Sequence, residues 1–368
     1  MPFNIQNLKM VLMNTNILFK AFLITCIQLV IQSTPRAQFV TVASNSESTN
    51  KIYNRPSSLG IIGDTSDVKT RTTAGIALIG GGKDVDEAFK WLIKKSGGGN
   101  VVILRATGTN AYNNYIFNLD KISSVETLKI DSRELANNDT VIRIIRNAEM
   151  LFISGGDQSN YMKYWRGTKT ADAINYLINK KKIPVGGTSA GCAILGQMYY
   201  SGEGASATSA EVLANPYHKN VTVYKNDFLK ARNLKNVITD QHYVARSRQG
   251  RHVVFLSRII TDWNIYAKGI AADERTAVCI DAKGNATVIG TSKAYFIKSM
   301  RNRKPEVCEK GKPLQWAAHN KALLVYEIIG TPQGNGKFSV RNFKSRKASG
   351  GKWFWWWVDT GTFQQSAM

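Results

Sequence analysis

The sequence has few cysteines, few histidines and few acidic residues, and each shortage excludes a class of structure or chemistry. Of its four cysteines, Cys26 lies in an apolar N-terminal run, and Cys192, Cys279 and Cys308 have no paired spacing. An odd number of isolated cysteines argues against a disulfide framework and against a zinc site. We assign no catalytic role to Cys192 or Cys279, whose apolar neighbours are typical of buried thiols. The four histidines leave few candidates for a catalytic base.

The shortage of acidic residues gives the chain a large positive charge. Lys and Arg total 49 against 26 Asp and Glu, a formal net charge of +23 over 368 residues. Such a surplus favours an acidic partner, although a soluble basic surface without a dedicated anion site is the open alternative. With 43% hydrophobic and 20% charged residues the composition is globular, and the length suits one large domain or two modest ones.

The N-terminal region lacks an apolar run long enough to span a bilayer. Its apolar stretch, Ala21 to Ile31, has eleven residues and follows Lys9 and Lys20, a pattern typical of a signal peptide. We therefore predict that residues 1–38 are a signal peptide and that the protein is exported to the periplasm or the extracellular space. The alternative is a buried N-terminal helix. The polar residues 39–71 are predicted to form an irregular lead-in.

From residue 75 onward, short apolar runs alternate with helical patterns of ten to fifteen residues. The predicted strands include Gly75–Ile79, Val101–Leu104, Met150–Ile153 and Ile183–Gly186. This alternation predicts an α/β fold with a parallel sheet flanked by helices. After residue 285 the pattern changes to antiparallel strands. We therefore predict a main domain over residues 72–300 and a C-terminal β-rich extension over 301–368 that packs on it.

A glycine-rich segment, Gly80-Gly-Gly82, follows the first of these strands and precedes a helix. A phosphate-binding loop has this placement. However, Asp84 stands where a Walker motif requires Ser or Thr after its lysine, and the GxGxxG spacing is absent. The segment is therefore interpreted as a tight turn at the C-terminal edge of the sheet.

The strongest chemical signal is Gly187-Thr-Ser-Ala-Gly191, directly after the strand at Ile183. Gly-x-Ser-x-Gly between a strand and a helix is the pattern of a nucleophile elbow, which lifts the serine hydroxyl above the sheet. The helix that begins near Ala190 would direct free backbone N–H groups at an oxyanion formed there. Ser189 is therefore the candidate nucleophile.

A base and an acid follow Ser189 along the chain. His242, in Asp240-Gln-His-Tyr, comes directly after an apolar run, at the sheet edge where open α/β folds place their active sites. Glu274 comes before a further strand and can orient the imidazole. The order serine, histidine, acid differs from that of α/β-hydrolases, which place the acid before the histidine. It resembles the class I glutamine-amidotransferase-like sheet, in which Cys, His and an acid follow in sequence.

Four ordered blocks resemble those of cyanophycinases, which belong to a serine peptidase family that also contains aspartyl dipeptidases. The blocks are Ser154-Gly-Gly-Asp-Gln158, Gly186 to Gly191, Asp240 to Arg251 and Gly269 to Ala277. The resemblance covers roughly residues 72 to 300 and is weaker to about 345. It implies a flavodoxin-like, class I glutamine-amidotransferase-like fold and a serine exopeptidase that cleaves β-aspartyl-arginine or related aspartyl bonds through an acyl-enzyme.

The resemblance also implies a role for each matching residue. Ser189, His242 and Glu274 correspond to the nucleophile, the general base and the orienting acid. Gly156 and Ala190 correspond to the oxyanion-hole donors. The positions that correspond to the substrate pocket are Gln158, Asp240, Gln241, Arg246, Arg248 and Arg251.

The chemistry of the three arginines agrees with exopeptidase action, because a guanidinium binds a chain-end carboxylate through two parallel hydrogen bonds. The alternative is that one or more of them pair with acids such as Asp240 or form a solvated face. No metal and no organic cofactor are expected. The predicted partner is a peptide or isopeptide substrate that contains aspartate. We expect no nucleic acid and no membrane span after signal removal, and leave a homodimer open.

Three other functions stay open at this point. One is an aspartyl dipeptidase-like peptidase of different specificity. A second is a non-enzymatic, basic protein that binds a polyanion on the same fold with a decayed site. The third is an amidotransferase-like hydrolase acting on a small amide, which would normally carry cysteine at position 189.

Overall fold

The computed structural model describes residues 55–341, 343 and 348–368. The predicted signal peptide and the first part of the predicted lead-in lie outside these residues. Within the part that the structure describes, no helix is long and apolar enough to cross a membrane.

The strands of the described residues form two mixed sheets. In chain order they are β1 (Ser58–Gly63), β2 (Gly75–Ile79), β3 (Asn100–Arg105), β4 (Ser124–Lys129), β5 (Met150–Ile153), β6 (Pro184–Thr188), β7 (Met198–Tyr200), β8 (Val223–Lys225), β9 (Val237–Asp240), β10 (Lys268–Ala272), β11 (Thr276–Asp281), β12 (Asn285–Gly290), β13 (Lys293–Ser299), β14 (Leu323–Ile329), β15 (Gly336–Ser339), β16 (Gly351–Asp359) and β17 (Thr362–Ala367).

The helices of the described residues pack on the faces of the two sheets. They are α1 (Asp86–Ser96), α2 (Tyr112–Phe117), α3 (Arg133–Asn137), α4 (Asp139–Asn147), α5 (Gln158–Trp165), α6 (Lys169–Tyr176), α7 (Ala190–Ala193), α8 (Ser209–Ala214) and α9 (Gln249–Trp263). A π-helical segment, Leu177–Lys181, extends α6, and a 3-10 turn spans Arg232–Leu234.

The first sheet has nine strands in the order β1-β4-β3-β5-β6-β2-β11-β12-β15. Strands β4, β3, β5, β6 and β2 are parallel to their neighbours within this set, and β1, β11, β12 and β15 add to its two sides in antiparallel register. Buried aliphatic residues dominate the central strands, as expected for parallel strands covered on both faces. The predicted α/β fold with a parallel sheet and flanking helices is confirmed.

The second sheet, which the sequence did not predict as a separate layer, has eight strands in the order β17-β16-β14-β13-β10-β9-β7-β8. Strand β9 is parallel to β10. The neighbouring pairs β10–β13, β13–β14, β14–β16 and β16–β17 are antiparallel. One apolar core joins the facing sides of the two sheets and includes Leu78, Val278, Ile270 and Phe296. Helix α1 covers the outer side of the first sheet and α9 that of the second.

The C-terminal strands join both sheets. Strands β14, β16 and β17 extend the second sheet, and β15 pairs with β12 in the first. Trp356 in the aromatic strand β16 is fully buried, so this residue belongs to the core.

One part of the predicted lead-in is not irregular. Residues 58–63 form β1, which pairs with β4. This strand corrects the prediction that residues 39–71 are irregular throughout. This strand, Ser-Leu-Gly-Ile-Ile-Gly, is short, contains two glycines and is only half buried at the edge of the sheet, so its apolar signal is weak.

Candidate active site

Three chain segments that bear the predicted catalytic residues meet where the two sheets come together. Ser189 follows β6 of the first sheet, and His242 follows β9 of the second. Glu274 lies in the short connection from β10 to β11, which passes from the second sheet to the first. Strand order within a single sheet would not bring these residues together, so the junction of the two sheets creates the site.

Ser189 adopts the strained conformation of a nucleophile elbow. Its φ is +51° and its ψ is −117°, a combination that L-residues rarely adopt outside functional turns. A side-chain carbon on Gly191 would lie 2.2 Å from the carbonyl oxygen of Ile153, so the turn tolerates only glycine there. The Gly-x-Ser-x-Gly pattern therefore exists because β6 and α7 pass so close to β5.

The three side chains form a continuous hydrogen-bonded relay. The Oγ of Ser189 lies 2.8 Å from Nε2 of His242, and Nδ1 of His242 lies 2.6 Å from Oε1 of Glu274. The imidazole is buried, whereas Ser189 and Glu274 are partly open to solvent. A substrate carbonyl can therefore reach the hydroxyl while the imidazole stays enclosed.

Burial lowers the pKa of His242 below the usual value for an imidazole. The hydrogen bond to Glu274 raises this pKa, and the positive charges of Arg246 and Arg248 lower it. The net direction is downward, so the imidazole is neutral at neutral pH. A neutral imidazole is the form that can accept a proton from the serine hydroxyl.

The last residue of β2 and the triglycine segment that follows it hold the three catalytic segments together. The N–H of Ser189 donates to the carbonyl of Ile79 (3.0 Å), that of His242 to Gly80 (2.8 Å) and that of Arg275 to Gly81 (2.9 Å). The interpretation of Gly80–Gly82 as a tight turn missed this role, because local sequence does not reveal what packs on a turn.

The absence of side chains in this segment makes room for the imidazole and the carboxylate. A carbon on Gly81, whose φ is +96°, would lie 2.5 Å from both Cε1 and Nε2 of His242. A carbon on Gly82 would lie 3.0 Å from Oε2 of Glu274. The glycines therefore set the position of the base and of the acid that orients it.

Asp273 is a second residue that the sequence analysis missed. Its buried carboxylate accepts hydrogen bonds from the backbone N–H groups of Val244 (2.8 Å) and Ala245 (3.0 Å), and from the hydroxyl of Ser292 (2.6 Å). These contacts fix the segment directly after His242 to the connection that carries Glu274. The signal available in the sequence was the position of Asp273 directly before Glu274, the predicted orienting acid.

The predicted oxyanion donors lie on two segments beside Ser189. Ala190 is the first residue of α7, and Gly156 is exposed on the loop between β5 and α5. A carbon on the neighbouring Gly155 would lie 3.2 Å from Cβ of Ser189, and the Tyr161 hydroxyl holds this loop by donating to the carbonyl of Ser154 (2.8 Å). Neither the Gly156 nor the Ala190 N–H donates to an acceptor in the described residues.

Arg248 is buried near His242, and its nearest carboxylate is that of Asp240. Its Nη1 donates to the carbonyl oxygen (2.8 Å) and to the side-chain oxygen of Gln241, and lies 3.8 Å from Asp240. Burial lowers the pKa of its guanidinium to about 10. Its Nε and Nη2 make no hydrogen bond to a described residue.

The structure separates the other predicted pocket residues. Arg246 is exposed at the rim of the site, where its charge still reaches His242. Gln158 is half buried at the start of α5, and its amide packs against Gly202 in the loop after β7.

Asp240 and Arg251, two residues of the predicted substrate pocket, form a buried ion pair with each other. Nε of Arg251 donates to Oδ2 of Asp240 (2.9 Å), Nη2 donates to Oδ1, and both side chains are at least 97% buried. Burial acts to raise the pKa of Asp240, but the charges of Arg251 and Arg248 outweigh it and hold the pKa below its usual value. The ion pair therefore links β9, which carries Asp240, to α9, which carries Arg251.

In the described residues, neither the cysteines nor a cluster of potential metal-binding side chains offers an alternative catalytic centre. Cys192 and Cys279 are fully buried, and burial raises the pKa of both thiols. No group of three or more His, Cys, Asp or Glu residues with metal-binding proximity occurs in the part of the chain that the structure describes. The expectation that no cofactor takes part stays a prediction.

Comparison with known proteins assigns a family to this chain. The model of peptidase family S51 matches residues 76–288. A cyanophycinase from Trichormus variabilis is 27% identical over 174 residues, which are 47% of this chain and 53% of the relative. One from Synechococcus elongatus is 25% identical over 179 residues, 48% of this chain and 50% of the relative. The chain thus spans about half the length of the curated relatives it matches.

A solved structure, a peptidase from an acI-B1 Actinobacterium, is 17% identical, with a TM-score of 0.48 over 73% of this chain and 98% of that one. The family match extends over more than half of the chain and contains Ser189, His242 and Glu274. The chain therefore belongs to peptidase family S51.

Proposed function

We propose that the protein is a serine exopeptidase that hydrolyses β-aspartyl-arginine or related aspartyl peptide bonds through an acyl-enzyme. The observation that carries this proposal is the relay from Ser189 through His242 to Glu274, with contacts of 2.8 and 2.6 Å. Membership of a peptidase family and partial similarity to two cyanophycinases support the same reaction class.

In this mechanism Ser189 attacks the scissile carbonyl carbon while Nε2 of His242 takes the hydroxyl proton. The N–H groups of Gly156 and Ala190 hold the oxyanion of the tetrahedral intermediate. When the C–N bond breaks, His242 delivers its proton to the leaving amine. Glu274 stays ionised and stabilises the imidazolium, and water then releases the acyl group by the same steps.

Recognition of the substrate carboxylate is assigned to Arg248. It is a buried cation next to His242 whose Nε and Nη2 make no hydrogen bond to a described residue, whereas Arg251 is paired with Asp240. Exposed cations at Arg246 and Arg275 line the approach. This cationic approach favours aspartyl peptides with a free carboxylate over those that present only a cationic side chain.

A substrate panel tests this assignment. We expect hydrolysis of β-aspartyl-arginine or of an α-aspartyl dipeptide, with kcat/KM at least tenfold lower for the C-terminal amide than for the free acid. The expected ratio follows from the strength of a hydrogen bond to a charged group, about 1.5–3 kcal/mol.

The variant Arg248→Lys should reduce the preference for the acid over the amide, because lysine keeps the charge but loses the paired donors. Arg258→Lys, on the outer side of α9 and paired with Asp262, is the matched control. If Arg248→Lys keeps the full preference, Arg248 does not bind the carboxylate. If no aspartyl peptide is cleaved, the proposed substrate class is wrong.

The lowered pKa of His242 predicts the pH dependence. The acidic limb of kcat/KM should lie below the usual histidine pKa of about 6.5, because the free enzyme loses activity only when His242 is protonated. Arg246→Gln removes a positive charge that lowers the His242 pKa. The limb should therefore move to higher pH in this variant. An unchanged limb, or a shift to lower pH, would show that Arg246 does not act on the base.

A further inference from the structure

A groove lined by positive charges lies at the edge of the sheets opposite to Ser189. Two adjoining cavities share Asn236 and Lys268, which stand at the starts of β9 and β10. His242 and Glu274 follow the other ends of these two strands. We call this surface the basic groove and define it by its eight cationic residues, Arg232, Lys235, Lys268, Lys283, Lys298, Arg301, Lys304 and Arg341.

The basic groove contains no neutralising carboxylate. None of the residues lining the two cavities is Asp or Glu, and none of the eight cations forms a salt bridge with a described residue. Some lysines elsewhere in the described chain do have such partners: Lys169 pairs with Asp139 at 2.7 Å, and Lys293 pairs with Glu327 at 2.9 Å. In the basic groove, eight cations without such a partner line one surface that has no carboxylate in its lining.

The centre of the groove carries a repulsive pair. Lys268 and Lys298 stand directly opposite each other on antiparallel strands β10 and β13. Residues in this position have Cβ atoms about 5 Å apart, and like charges there destabilise a sheet. Burial lowers the pKa of Lys268, and the charge of Lys298 lowers it further. An anion bound between the two ammonium groups would remove this repulsion.

We propose that the basic groove is a second binding site that holds an acidic stretch of a polypeptide substrate. This inference rests on the proposed function, which already requires aspartyl peptides. The cations come from both sheets and from the segment after β13, so they form an extended strip that fits a chain with many carboxylates rather than a single ion.

The side chains of the groove favour a polypeptide over a nucleic acid. Single-stranded nucleic acids bind through bases stacked on aromatic rings, as well as through phosphate contacts. Tyr266 is the one aromatic residue lining the two cavities. Farther along the same row across the sheet, the ring of Trp355 is covered by the guanidinium of Arg303 at 4.8 Å. The groove thus offers charge with little stacking surface.

The length of substrate follows from the geometry of β10. This strand has five residues, so the groove and the catalytic edge are separated by at least roughly 15 Å, the length of such a strand. An extended peptide needs at least about five residues for this distance, and more if it passes around the protein surface. Dipeptides cannot reach both sites, and only long acidic substrates should benefit from the groove.

Direct binding tests the inference without any turnover. Fluorescently labelled poly-aspartate of about twenty residues is titrated into Ser189→Ala protein and followed by anisotropy. The double variant Lys268→Gln/Lys298→Gln should bind about five- to tenfold more weakly at low salt, as expected for two partly exposed charge contacts. The control Lys90→Gln/Lys121→Gln removes the same charge from exposed lysines that line a different cavity, next to Glu87 and Asp120, and should bind as tightly as the parent.

Kinetics separates this inference from the proposed function. With Ser189 restored, the groove variant should raise KM for a long acidic substrate by a similar factor and leave that for a dipeptide unchanged. Poly-aspartate that does not bind, or that binds equally to both double variants, overturns the inference even if dipeptides are cleaved. Groove-dependent binding of an oligonucleotide that exceeds that of poly-aspartate also overturns it. Binding without cleavage of any aspartyl peptide leaves the groove assigned and refutes the proposed function.

Discussion

The double variant Ser189→Ala/His242→Ala should be no slower than either single variant. Each single change should lower kcat by roughly 10⁵- to 10⁶-fold, because residues that act as one unit lose activity non-additively. The physical reason is the 2.8 Å contact between Oγ and Nε2: without either atom, the proton transfer that creates the nucleophile has no route. Turnover of a cleavable aspartyl dipeptide by the four proteins of this cycle measures the coupling.

Two observations control for loss of structure in this cycle. The thermal midpoints of the single variants should stay near that of the wild type. His252→Ala changes the other buried histidine, which lies on α9, and should retain kcat even though it destabilises the fold. If the losses at Ser189 and His242 multiply in the double variant, the two residues do not act on the same step.

Gly81→Ala should lower kcat by about 10² or more. The added methyl group would lie 2.5 Å from two atoms of the His242 ring, so the imidazole must move away from Ser189. A displacement of about 1 Å in a catalytic group costs about 10²-fold. The positive φ of +96° adds backbone strain of about 1–2 kcal/mol for a residue with a side chain. The measurement is kcat together with the thermal midpoint.

Gly167→Ala is the matched control for this strain. Gly167 also has a positive φ, of +68°, but an added carbon meets no atom within 4 Å. It should lose stability by a similar amount and keep its kcat. Gly82→Ala should have an intermediate effect, because its neighbour is the flexible carboxylate of Glu274. Equal kcat for Gly81→Ala and Gly167→Ala would refute the role of the triglycine segment.

The sequence was sufficient for the fold class and for the three residues of the relay. The apolar runs Gly75–Ile79 and Met150–Ile153 are strands with the predicted bounds, because continuous burial leaves a local signature. Ser189, His242 and Glu274 could be proposed because each directly follows or precedes an apolar strand, the position at which α/β folds place their active sites.

The sequence did not reveal which strands share a sheet or which charges pair across the fold. Strand β9 could equally have extended the first sheet, since apolar patterning shows burial and not neighbours. Arg251 resembled a substrate ligand because its partner, Asp240, lies eleven residues away and meets it only when α9 packs on β9. The basic groove likewise gathers lysines from distant segments, so charge counts alone could not locate it.

The most direct test of the central claim is the residual turnover of Ser189→Ala on β-aspartyl-arginine, or on whichever aspartyl dipeptide the wild type cleaves fastest. The account predicts a kcat at least about 10⁵-fold below that of the wild type, with circular dichroism and thermal midpoint unchanged. A variant that folds normally and keeps more than about a tenth of wild-type kcat would contradict the account, because a nucleophile cannot be removed at so small a cost.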